Sequence, residues 1–178
     1  FLAILAVPAV VSSLPAPACA SEHLVFNYIG QQIVPKRTQF NGTLIGGLSS
    51  LDYNPATGRY LAISDDRSKA RFYELSLDLS RFQRSATPGM EGVKFHSVTM
   101  IQRPDGGVFE KKGLDPEALR FDPARNRIYW SNEGRRGIFG FENPAVREMK
   151  PDGSYIRDFP VPSAYFPSGS SMGIFPGD

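Results

Sequence analysis

Acidic side chains gather at four places along this 178-residue chain, and arginines accompany two of them. They are Asp52, the run Asp65-Asp66-Arg67, the pair Asp115 and Glu117 around Pro116, and Glu133-Gly134-Arg135. Carboxylates gathered at one place cannot all stay ionised cheaply without a counter-charge. A hard divalent cation such as Ca²⁺, which takes about six to eight oxygen ligands, is the usual solution. Asp52, Asp65, Asp115, Glu117 and Glu133 are therefore candidate metal ligands. Arg67 and Arg135 are candidate anion binders, because a guanidinium meets a phosphate or carboxylate with two parallel hydrogen bonds. Asp65, Asp66, Arg67, Glu117 and Glu133 are the candidates to orient water and stabilise charge that develops during hydrolysis. The plainer alternative is that Asp65, Asp66 and Glu133 cap turns or pair with surface arginines, since Asp is common in turns. At this point both readings stand.

An internal repeat is what would bring these acids together. Ser50-Leu51-Asp52-Tyr53-Asn54-Pro55-Ala56-Thr57-Gly58-Arg59 lies over Ala118-Leu119-Arg120-Phe121-Asp122-Pro123-Ala124-Arg125-Asn126-Arg127 at an offset of 68 residues. The same offset brings Asp65 over Glu133 and Arg67 over Arg135. Each copy reads as strand, tight turn, strand. The turns are Pro-Ala-x-Gly and Pro-Ala-x-Asn, and the strands that follow, Tyr60 to Ser64 and Ile128 to Ser131, are aromatic and β-branched. Alternating residues from Arg71 to Leu79 and a β-rich run from Val93 to Ile101 complete the first unit. Ala145 to Met149, the turn Pro151-Asp152-Gly153 and Tyr155 to Val161 complete the second.

The expected fold is all-β and β-propeller-like: two four-stranded antiparallel blades plus a partial one, an incomplete propeller. Propellers use about four or more blades around a central channel, so strand ends of neighbouring blades converge at one mouth. The segment from His23 to Val34 is expected to be a strand belonging to a neighbouring blade. A sandwich or barrel remains the alternative architecture.

Composition narrows the function. Apolar residues at 41% and charged residues at 21% fit an ordinary globular domain rather than a disordered or coiled-coil chain. A formal charge of +2, with no Lys/Arg-rich stripe, makes nucleic acid a poor partner. Phe1 to Val11 is almost continuously apolar, and Ala18 and Ala20 fit a small-x-small cleavage pattern. Residues 1–20 are thus read as part of a secretory signal and 21–178 as one domain, which places the mature protein in a secreted or periplasmic location. Cleavage after Ala20 removes Cys19, the one cysteine; lipid modification of Cys19 is the weaker alternative. A run of about 11 apolar residues is too short for a membrane span, which needs roughly 20. The chain starts without Met and stops in a Gly/Ser/Pro stretch, so it is read as truncated at its N-terminus and also at its C-terminus.

Other chemistry finds little material. Gly169-Ser170-Ser171-Met172-Gly173 matches the G-x-S-x-G nucleophile elbow, but Pro167 and Pro176 flank it where that motif needs a strand and a helix. His23 and His96 are the two histidines, too few for a His-rich zinc site, and His96 falls in a predicted strand. Tyr129 and Trp130 are expected in the core. Asn41-Gly42-Thr43 is a formal glycosylation sequon.

The ordered series Gly46-Gly47-Leu48-Ser49-Ser50-Leu51-Asp52-Tyr53, Ala62-Ile63-Ser64-Asp65-Asp66-Arg67, Ala70-Arg71-Phe72-Tyr73, Asp115-Pro116-Glu117-Ala118-Leu119, Ser131-Asn132-Glu133-Gly134 and Met149-Lys150-Pro151-Asp152-Gly153 resembles the phytase-like family described as esterase-like activity of phytase, over about residues 44–167. The resemblance implies an exported, propeller-type protein whose recurring Asp and Glu serve phosphomonoester or phosphodiester hydrolysis, with a small-molecule phosphate ester as substrate. Two positions depart from the family pattern, Ser50 and Ala118, where Gly is common. Leu119 to Asn132 also resembles the repeats of YWTD-type receptor propellers, whose role is binding. A non-enzymatic propeller module with a structural cation is therefore the rival expectation, and a lactonase-like ester hydrolase the third.

Overall fold

The computed structural model describes residues 25–109, 114–134 and 142–166. Within them the chain is all-β. A short hairpin, β1 (Gln39–Phe40) and β2 (Thr43–Leu44), precedes two four-stranded antiparallel sheets. The first sheet holds β3 (Leu48–Asn54), β4 (Arg59–Ser64), β5 (Arg71–Leu77) and β6 (Val93–Met100) in that order. The second holds β7 (Pro116–Asp122), β8 (Arg127–Asn132), β9 (Ala145–Met149) and β10 (Tyr155–Phe159) in the same sequential order. Each is a meander, and neither sheet closes on itself. The expected strand near the N-terminus does not form: within 25–34 the only pairing is an isolated bridge from Gln31 to Gln83, and His23 lies outside the described residues. Polar Gln31 and Gln32 explain this, because Gln32 uses its side chain to bond Arg81, Pro88 and Gly92 instead of a strand ladder.

The repeat is built from the same local physics twice. In the β3–β4 turn, Asn54 Oδ1 accepts the Ala56 N–H at 3.0 Å, and in the β7–β8 turn Asp122 Oδ1 accepts the Ala124 N–H at 2.9 Å. Gly58 and Asn126 close the two turns with φ of 67° and 52°, the left-handed region that Gly and Asn tolerate best. A register shift also recurs: β3 slips between Leu48 and Ser50, and β7 between Pro116 and Ala118. An extra residue at such a bulge loses its ladder partner and its side chain is re-aimed.

The core forms where the sheets face each other. Leu61, Ile63 and Phe72 of the first sheet pack with Leu119, Ile128, Trp130 and Met149 of the second, all 5% exposed or less. Removing this apolar area from water is the main drive for the pairing. Trp130 is buried as expected, with Phe109 against its edge and the Arg147 guanidinium 5.3 Å from its ring centroid. Tyr129 points to the opposite face, where it meets Phe159. Polar latches join the inner strands: Ser50 Oγ donates to Leu119 O at 3.2 Å, and the Asp52 carboxylate accepts the Phe121 N–H at 2.6 Å. Among the described residues no helix is long and apolar enough to cross a membrane.

Candidate functional site

The acids that meet do so at one end of the junction between the sheets. Carboxylate oxygens of Asp115, Glu117 and Glu133 all lie within 4.8 Å of one another. Asp115 is buried, Glu117 half-buried and Glu133 exposed, so the group opens to solvent on one side.

Each acid has a specific cause for its place. Asp115 sits just before β7, and its N–H donates to Asn132 Oδ1 at 2.6 Å while its carbonyl accepts the Glu133 N–H at 3.1 Å. Glu117 is the extra residue of the β7 bulge, since Pro116 pairs with Asn132 and Ala118 with Ser131. The bulge frees the Glu117 side chain from the alternation of the strand and aims it into the mouth. Glu133 follows the last residue of β8.

The first sheet repeats this frame with other side chains. Asp65 follows β4 and donates its N–H to Gly47 O at 2.7 Å, the counterpart of the Glu133–Asp115 bond, and Ser64 Oγ donates to Gly46 O at 2.8 Å. Gly47, with φ of 55°, occupies the place of Asp115; a β-carbon there would run into the Asp65 carboxylate. From this loop Arg67 reaches across and pairs its Nη2 with Asp115 Oδ2. The guanidinium is 52% exposed and the Asp115 side chain 5%, so the arginine covers the acid from the solvent side.

The electrostatics record a surplus of negative charge. The Glu117 carboxyl is pushed above its ordinary value, first by burial and then by the charges of Asp115 and Asp65, with Arg67 opposing. Glu133 is raised in the same direction, first by loss of water at the crowded mouth and then by a hydrogen bond to Asp115 and by the charges of Asp115 and Glu117. One arginine is too little to balance these acids.

The other expected residues are placed differently. Asp52 is not among the acids that converge; its carboxylate is taken up by the Phe121 N–H in the latch between strands. Asp66 turns away from the mouth, pairing with Arg71 at 2.7 Å and accepting the Ser68 N–H at 2.9 Å. Arg135 and Gly169 to Gly173 lie outside the described residues. His96 bonds Ser76 Oγ at 2.9 Å on the outer strands of the first sheet, apart from the acids. Sequence reasoning assigned nothing to Asn132 or Arg71. Asn132 is 2% exposed and holds the Asp115 loop; its register with Ser64 in the repeat was the available signal. Arg71 is equally buried and bonds Tyr73, Asp66 and Leu44, which anchors the β1–β2 hairpin; a charged residue directly before the apolar Phe72-Tyr73 at the head of the strand was its sign.

Three carboxylates this close form an all-oxygen, anionic donor set that suits a hard divalent cation, and two-oxygen binding by each would supply about six ligands. The residues present therefore fit a metal ion of that class.

Comparison with curated proteins and with solved structures gives no match. A family model does match, the phytase-like family described as esterase-like activity of phytase, over residues 43–173. That span includes both sheets, the converging acids and Arg67, and the chain belongs to the phytase-like family.

Proposed function

We propose that this protein is an exported hydrolase of small phosphate esters, acting at the mouth between two propeller blades. One observation carries the reading: Asp115, Glu117 and Glu133 converge beside Arg67, across a junction of two sheets, in a chain of a family described by esterase-like activity.

In this reading Asp115, Glu117 and Glu133 hold a divalent cation, Ca²⁺ being the one best matched to flexible carboxylate ligands. Bound there, such a cation neutralises charge on a phosphoryl oxygen and polarises the phosphorus toward attack. The side chains do the rest. Arg67, exposed and already at the rim, turns toward the phosphate and stabilises the charge that grows on it. Asp65, on the first sheet and close enough to Glu117 to raise its pKa, faces the water that attacks. Asp65 takes that water's proton as the water oxygen bonds to phosphorus, and the P–O bond to the alcohol breaks, the alcohol leaving with a proton drawn from solvent. No covalent nucleophile is needed. The two sheets act as adjacent blades, and residues 1–20, outside the described residues, act as the export signal.

The test is hydrolysis of a generic phosphodiester and a generic phosphomonoester by the purified chain, with and without a chelator. Chelator-sensitive turnover of either that is lost in Glu117→Gln supports the proposal; no turnover of either overturns it.

A structural-cation reading is favoured by one feature. The Asp115 main chain is already engaged in fixing its own hairpin end through Asn132 and Glu133, and its carboxylate in joining the sheets through Arg67. Calcium that raises the melting temperature while Glu117→Gln leaves hydrolysis intact would decide for that binding-module role.

A further inference from the structure

Asn41 and Gly42 are the two loop residues of the β1–β2 hairpin, between the paired Phe40 and Thr43. Both have positive φ, 46° and 74°, as a two-residue type I′ turn requires, and Asn-Gly is the pair that best tolerates it. Both are exposed. A β-carbon at Gly42 would meet nothing within 4 Å, and among the described residues no acceptor takes the Gly42 N–H. The side-chain amide of Asn41 and the main-chain nitrogen that follows it therefore stand in open water with no side chain between them. This is the one Asn-Gly step in the chain.

The residues just beyond the tip are held firmly. Thr43 is 7% exposed, and its Oγ donates to Phe40 O at 2.7 Å and meets the Tyr73 hydroxyl at 2.9 Å. The Leu44 carbonyl accepts from Arg71 Nη2 at 2.6 Å and from the Tyr73 hydroxyl at 3.0 Å. The hydroxyl that a glycosylation sequon needs is thus committed inside the fold, while its asparagine lies outside. The hairpin ladder itself has two pairs, Gln39 with Leu44 and Phe40 with Thr43. So short a ladder opens locally at small cost.

We propose that Asn41 is a site of spontaneous covalent modification, deamidation through a cyclic imide. With the tip open, the Gly42 nitrogen gives its proton to hydroxide and attacks Asn41 Cγ. A C–N bond forms, the Cγ–Nδ2 bond breaks, and the amide nitrogen leaves as ammonia with a proton from water. A water molecule then opens the imide. Attack at Cγ leaves an ordinary aspartate at position 41, and attack at the main-chain carbonyl leaves isoaspartate, in which the chain runs through the side chain. Water is the only other reactant. Isoaspartate lengthens by one carbon a turn that two residues close, and both products add a carboxylate. Because Tyr73 and Arg71 fix Thr43 and Leu44, the pairing of Phe40 with Thr43 takes up the mismatch and the hairpin loosens. The proposal goes beyond the hydrolase reading and does not depend on it.

The experiment incubates the full chain in mildly alkaline buffer at body temperature and maps its peptides by mass spectrometry, with isoaspartate detected by enzymatic methylation. The peptide spanning Asn41 and Gly42 is expected to gain the mass of an acid over an amide within days, ahead of every other asparagine peptide and faster as pH rises. Asn41→Gln should abolish that gain. Tyr73→Phe, which removes a hydrogen bond that keeps the hairpin closed, should speed it by about two- to tenfold. The isoaspartyl form, separated by ion exchange, should melt below the unmodified chain. A tip that stays unmodified in the folded chain while urea-unfolded chain is converted overturns the proposal. A glycan mass on Asn41 in protein from a eukaryotic secretory host would assign the position to the sequon and overturn it as well.

Discussion

The Arg67 guanidinium pairs with the carboxylate of Asp115, a contact from the loop after β4 to the loop before β7 that joins the two sheets at their acidic end. Arg67 is exposed and Asp115 is buried, so the acid depends on the arginine for charge compensation more than the arginine depends on the acid. A cation bound by Asp115, Glu117 and Glu133 would take over that compensation and leave the guanidinium for an anionic substrate.

Replacing Arg67 by Gln should therefore separate two roles. Phosphate-ester hydrolysis is expected to fall by about 10² to 10³-fold, the size of losing one preorganised charge donor. Calcium affinity measured by titration calorimetry should hold or rise, since a competitor for the acids is gone. A parallel loss of calcium affinity would show that Arg67 works by holding Asp115 in place.

Calcium should stabilise the native protein by mass action. At a hundred times its dissociation constant the gain is about 2.7 kcal/mol, which for a domain of this size is a rise of about 5 to 10 °C in melting temperature. Glu117→Gln, which removes one ligand charge, should abolish most of that rise in a calorimetric scan. An unchanged rise would remove Glu117 from the binding set.

Asp52 offers the contrast. Asp52→Ala leaves the Phe121 N–H without its acceptor, and an unpaired buried donor costs about 1 to 3 kcal/mol. Urea unfolding should show that loss, while the calcium-induced rise in melting temperature is retained. Loss of the calcium response in Asp52→Ala would return Asp52 to the metal site.

Asp66 should give the fold a dependence on acid pH. Burial tends to raise its carboxyl, but the Ser68 N–H and the Arg71 guanidinium outweigh burial and hold it below the ordinary 3.8. A carboxylate depressed in the folded state stabilises above its unfolded pKa and loses that contribution as pH falls through the folded value. The wild-type protein should thus melt above Asp66→Asn at neutral pH, with the gap closing as pH drops below about 3.8. A gap of constant size across that range would mean that Asp66 acts by shape and not by charge.

Much of the frame could be read along the chain. The turn residues Asn54 and Asp122, with Gly58 and Asn126 four positions on, declare two like hairpins because few other residues satisfy those backbone angles and local bonds. The pairing of Asp65 with Glu133 at one end followed from register alone. The rival behaviours of Asp52 and Glu117 did not. Both are acids on inner strands, and strand alternation gives no reason to separate them.

The sequence by itself determined the repeat and the strand order within each unit, since these depend on local turn chemistry and on the spacing of apolar side chains, and its ordered motif series carried the resemblance to the family that the family model bears out. Only the tertiary structure decided which acids share a mouth. A bulge of one residue turned Glu117 inward, a neighbouring main-chain N–H claimed Asp52, and Arg71 drew Asp66 aside. The physical reason is that a carboxylate goes to whichever partner best compensates its charge: Arg71 is five residues from Asp66, but the Phe121 N–H that takes Asp52 lies 69 residues on and Arg67 reaches Asp115 from the other sheet, contacts made only when the two sheets bury Trp130 and Leu119 between them.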